Sequence, residues 1–68
     1  MTGLGVDSAP LKAAIFKYTY LWFRDGVEFW AYISFIGGGH TAGWRWDGYN
    51  WHPFEVDIRK IDKFIYYQ

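Results

Sequence analysis

The large side chains of this chain recur with a period of two. Val27, Phe29, Ala31, Ile33 and Phe35 alternate with Glu28, Trp30, Tyr32 and Ser34, which predicts a β-strand with the first set turned inward. Before it, Tyr18-Thr19-Tyr20-Leu21-Trp22-Phe23 is a run of bulky and β-branched residues and predicts a strand of its own. Asp25-Gly26 between the two has the chemistry of a tight hairpin turn. Gly37-Gly38-Gly39 ends the second strand and either turns a corner or admits a neighbouring backbone.

The same reading continues to the end of the chain. His40 to Trp46 predicts a third strand, Asp47-Gly48 a second turn that Tyr49 and Asn50 can widen, and Trp51 to Asp57 a fourth strand. Pro53 lacks an N–H, so this fourth strand belongs at an edge or carries a bulge. Ile58 and Ile61, three apart, predict one helical or 3₁₀ turn, followed by a short fifth strand from Lys63 to Tyr67. At the other end, residues 1–7 read as a flexible terminus. Ser8 reads as an N-cap, and Leu11, Ala14 and Ile15 predict a two-turn helix ending near Phe16. The expected fold is mainly β: a small five-stranded barrel over residues 8–68, a single domain with a short N-terminal helix.

A chain of 68 residues buries only about 60% of its unfolded surface and has room for one core. It has no cysteine, so neither a disulfide nor a thiolate metal site can staple it, and dense apolar burial or oligomerisation must serve instead. Aromatic residues make up 25% of the chain, and each ring removes roughly 150–250 Å² from water when buried. Seven basic and seven acidic residues cancel, so no long-range field gathers nucleic acid or an anionic membrane. The start has neither a basic lead nor a long apolar run, and no segment approaches the length of a membrane span. The expectation is a soluble cytoplasmic protein with no membrane partner.

The run Leu21-Trp22-Phe23-Arg24-Asp25-Gly26-Val27-Glu28-Phe29-Trp30-Ala31-Tyr32-Ile33 resembles the first motif of Sm-like proteins, an apolar strand, a polar-Gly turn and a second strand with a small residue at its bend. The tail Val56-Asp57-Ile58-Arg59-Lys60-Ile61-Asp62-Lys63-Phe64 is similar to the closing strands of that fold. The resemblance implies an Sm-like barrel, with an SH3-like barrel of another family as the alternative. It does not extend to RNA contacts, because Ser34 to Gly39 contains no Asp or Asn where the family carries its polar base-binding residue.

Reactive chemistry is sparse. His40 and His52 are the neutral-pH bases, and a metal site built on them would need Glu55 or Asp57 close by. Ser8, Thr19, Ser34 and Thr41 occupy no nucleophile elbow, and the glycine triplet lacks the lysine and hydroxyl of a phosphate loop. No enzyme activity, metal or cofactor is expected.

The rings carry the functional signal. With Phe29, Ala31 and Ile33 inside, Trp30 and Tyr32 face out; with Leu21 and Phe23 inside, so do Tyr18, Tyr20 and Trp22. A sheet with one wet side should alternate apolar with polar, so rings on both sides require a cover from the helix, a second subunit or a ligand. Trp30, Tyr32, Trp44, Arg45, Trp46, Tyr49 and Trp51 are the candidate contact residues, with Trp46 and Tyr49 expected on the surface and Trp44 and Trp51 in structural roles. Arg59, Lys60 and Lys63 are a candidate basic patch. One reading is an interaction module that forms a homo-oligomer or meets a protein partner. The other is a stacking platform for single-stranded nucleic acid, carbohydrate or a proline-rich peptide.

Overall fold

The computed structural model describes residues 2–4 and 11–67. They form one antiparallel sheet of strands β1 (Thr2–Leu4), β2 (Tyr18–Phe23), β3 (Glu28–Gly37), β4 (His40–Trp46), β5 (Trp51–Asp57) and β6 (Ile61–Tyr67). Their spatial order is β1-β6-β2-β3-β4-β5. Strands β2 to β5 are a meander, and a 3₁₀ turn at Ile58–Lys60 returns the chain so that β6 pairs with β2. The expected 3₁₀ turn, the two hairpins and the edge position of the Pro53 strand are all present.

Several features differ from expectation. The sheet does not close into a barrel: its order runs from β1 at one edge to β5 at the other, and among the described residues these two edges do not pair; Pro53 deprives β5 of one donor. No N-terminal helix forms within the described residues; Lys12–Ala14 is a single 3₁₀ turn, and the expected cap at Ser8 lies outside them. The turn stops because Phe16 swings to a φ of 59° and gives its N–H to the Ile33 carbonyl at 2.6 Å. Lastly, Thr2–Leu4, part of the stretch expected to fray, runs as a short strand along β6.

Phe16 makes a prediction of its own. A bulky residue in the left-handed region is strained by roughly 1–2 kcal/mol, and its ring, 65% exposed, recovers little by burial. Phe16→Gly is therefore expected to stabilise the protein by up to about 1 kcal/mol, seen as a raised urea midpoint, after allowing for glycine's greater freedom in the unfolded chain. A lowered midpoint would mean that the ring's remaining contacts outweigh the strain.

The core lies on one side of the sheet. Leu21, Phe23, Ala31, Ile33, Phe64 and Tyr66 project from β2, β3 and β6, Ile61 from the start of β6, and Ile58 from the preceding turn; Leu11 and Ala14 close over them. Thr19 and Thr41 are buried with them, and their hydroxyls donate to the carbonyls of Lys17 and Phe35, as buried polar groups must. Gly38 and Gly39, with φ of 61° and 80°, make the two-residue turn between β3 and β4, a reversal that needs positive φ at both positions. The other two hairpins are wider: Phe23 bonds Val27 across the first, and Asp47 bonds Asn50 across the second.

A bulge in β3 reverses its facing. Ile33 pairs with Gly43 but Phe35 with Ala42, so Ser34 is an extra residue. Phe35, expected inside, is consequently exposed on the outward face.

Candidate functional site

The strand register assembles the outward face row by row. Tyr67 of β6, Tyr18 of β2, Tyr32 of β3, Trp44 of β4 and Pro53 of β5 are successive partners across five strands. The next row runs Ile65, Tyr20, Trp30, Trp46 and Trp51. A third, shorter row is Lys63, Trp22 and Glu28. Directly paired residues share a face of the sheet, so the central rows are almost wholly aromatic, with charges confined to the ends: Glu28 and Lys63 at one, Glu55 beside Ala42 and Phe35 at the other.

The rings pack against one another. Tyr20 stands edge-on to Trp22 at 4.8 Å and to Trp30 at 5.1 Å, and Trp30 meets Tyr67 at 5.5 Å. Tyr18 contacts Tyr32 at 5.3 Å and leans over two intervening strands to come within 6.0 Å of Trp51, which in turn lies 5.2 Å from Trp46. Edge-on and inclined contacts of this kind are the preferred aromatic geometries. The Tyr18–Trp51 pair forms a ridge between two hollows. One, of about 290 Å³, is walled by Tyr18, Trp30, Trp46 and Trp51. The other, of about 340 Å³, is walled by Tyr18, Tyr32, Trp44 and Trp51.

Of the candidate residues, Trp30, Tyr32, Trp44, Trp46 and Trp51 are therefore brought together. The expected division among them is reversed: Trp44 and Trp51 are 47% and 41% exposed, while Trp46 is half-buried. Arg45 does not join the platform. It pairs with Ala31 and His52, and the alternation of β4 turns it to the face opposite its two tryptophan neighbours. Tyr49, 86% exposed, stands off on the β4–β5 turn. The basic patch is also split. Arg59 grips Asp57 through Nε and Nη2, Lys60 lines a cleft beside the β2–β3 turn, and Lys63 lies on the outward face with its ammonium 5.1 Å from the Trp22 ring centroid.

Tyr18, Tyr20 and Trp22, outward by alternation but outside the candidate contact residues, belong to the same face, and so does Tyr67. The same two-residue period carries Tyr67, because Phe64 and Tyr66 are the inward residues of β6.

Electrostatics is local to the turns. Asp47 accepts N–H bonds from Asn50 and Tyr49, each at 2.7 Å, and meets His52 Nε2 at 2.6 Å. The Asn50 and Tyr49 amides, and after them the histidine, hold its carboxyl down at about 2. Asp57 caps the 3₁₀ turn through the Arg59 amide and is held well below the usual carboxylate range, chiefly by the Arg59 side chain. Tyr20 donates to Glu28 at 2.9 Å, and this bond to a carboxylate raises its phenol pKa. The histidines stand at opposite ends of the β4–β5 ladder, His40 beside Glu55 at 3.4 Å and His52 with Asp47. Among the described residues no group of three metal-ligating side chains converges, and no helix is long and apolar enough to cross a membrane.

No protein-family model matches the chain, and comparison with curated proteins and with solved structures gives no match.

Proposed function

We propose that this protein is a non-enzymatic interaction module that self-associates through its outward aromatic face. The observation that carries the reading is the pair of aromatic rows crossing five strands, with the charged Glu28, Lys63 and Glu55 in the rows that flank them. An apolar centre within a polar margin is the anatomy of a protein interface. Within the two rows, Tyr18, Trp30, Trp44, Trp51 and Tyr67 are the rings most open to solvent, and together they leave on the order of 500 Å² of apolar surface. That is as large as the largest patches borne by monomers, and a good part of the roughly 800 Å² per partner of a standard interface. The meander, the 3₁₀ turn and the returning last strand support an SH3-like reading of the fold, as an open sheet.

The open edge of β5 is a poorer route to association. Pro53 removes a donor there and Glu55 adds a charge, the devices that keep edge strands from pairing. Single-stranded nucleic acid is also disfavoured as the occupant of the aromatic face, since Arg45 lies on the other side of the sheet and Arg59 is engaged by Asp57.

Sedimentation over a range of protein concentrations tests the proposal. The protein is expected to form a dimer or larger assembly, and Trp44→Gln to weaken it by about 2 kcal/mol or more, the loss typical of a central interface ring, with an unchanged circular dichroism spectrum. A wild-type protein that stays monomeric at every concentration would refute it.

A further inference from the structure

Tyr18 of β2, Trp30 of β3, Trp46 of β4 and Trp51 of β5 converge on one hollow, and all of its lining side chains are aromatic. Its walls are inclined: Trp46 and Trp51 meet at 53°, Tyr18 and Trp51 at 36°. A ligand that depends on hydrogen bonds, such as a sugar or a base, finds in these walls only indole N–H groups and one phenol. A ring face does attract one kind of group strongly: a cation, most of all over tryptophan.

Elsewhere the protein supplies such cations itself. Lys63 stands over Trp22 and Lys17 over Tyr66. Among the described residues no lysine or arginine stands over any of the four rings of the hollow, and Arg45, next in sequence to Trp46, is turned away by the strand period. We propose that this hollow is a binding site for a trimethylammonium group. Such a group combines positive charge with an apolar, weakly hydrated surface, so it can enter walls with so few hydrogen-bonding groups; a primary ammonium would have to give up tightly held water. The inference rests on the outward face being the contact surface, and ligand and second subunit compete for it, because Trp51 and Trp30 serve both.

The test is a titration followed by tryptophan fluorescence, with choline and with 3,3-dimethylbutan-1-ol, its uncharged isostere, at protein concentrations where sedimentation finds monomer. Choline is expected to bind saturably and the neutral isostere at least about tenfold more weakly. Trp44→Gln, outside this hollow, should keep choline binding, and Trp51→Ala should lose it while retaining its circular dichroism spectrum. A trimethyllysine peptide titrated in parallel separates a small-molecule source of the group from a protein side chain, according to which binds more tightly. Absence of choline binding in both the wild type and Trp44→Gln, or equal binding of the isostere, would overturn the proposal. These outcomes are independent of the self-association result: a monomeric wild type that binds choline refutes the interface alone, and an assembling protein that ignores choline refutes the hollow alone. If both hold, added choline dissociates the assembly.

Discussion

Gly43→Ala is expected to disrupt the sheet and leave most of the protein unfolded. Gly43 lies mid-strand in β4, paired with Ile33 on one side and Phe54 on the other, next to the β3 bulge. A Cβ there would fall onto the carbonyl oxygen of Tyr32 and 3.0 Å from the Ser34 amide nitrogen. Both obstacles are backbone of the neighbouring strand and cannot rotate aside. Overpacking among side chains costs typically 1–3 kcal/mol; here the strand spacing or the bulge itself must change, so the loss should exceed about 3 kcal/mol. Gly37→Ala is the matched comparison. Its Cβ would meet the tip of the exposed Phe35 ring at 2.9 Å, which can swing away, and the variant should stay folded. Urea midpoints of the two variants check this, and a Gly43→Ala protein as stable as the wild type would contradict the close approach.

Phe64→Ala should be comparably damaging for the opposite reason. Phe64 is 1% exposed and pairs with Leu21 at the centre of the core. Removing a buried phenylalanine ring costs about 3–5 kcal/mol. A domain of this length holds only roughly 0.05–0.15 kcal/mol per residue, so the loss approaches its whole stability. Phe64→Leu, which keeps most of the volume, should retain the fold and separate a cavity effect from any specific role of the ring. Near-native denaturation of Phe64→Ala would mean that the core lies elsewhere. The contrast with Trp44→Gln is instructive: both remove an aromatic ring from a mid-strand position, yet one change should empty the core and the other leave the fold intact.

How much of this was legible beforehand follows from the physics of each element. The boundaries of β4 and β5, the 3₁₀ turn at Ile58–Lys60 and the inward set Phe29, Ala31 and Ile33 can be read directly, because side-chain alternation and turn chemistry are local properties. Phe35 could not be read, since the Ser34 bulge shifts parity by one residue and nothing in Ile33-Ser34-Phe35-Ile36 announces it. The N-terminal helix failed in a similar way. Leu11, Ala14 and Ile15 have helical spacing, but the bond from Phe16 to the Ile33 carbonyl halts the turn, and that partner is distant in sequence.

By itself, then, the amino-acid order determined that this is a β protein with more rings than one core can hold, and which rings share a strand face. Tertiary structure alone decided which rings meet: that Tyr18 reaches Trp51 across two strands, that Trp44 and Trp51 stand open while Trp46 is half-buried, and that β1 and β5 end the sheet at opposite edges. Period-two alternation assigns a side to each residue within its own strand, whereas register, bulges and edge pairing are settled between strands, where each contact depends on residues far apart in the chain.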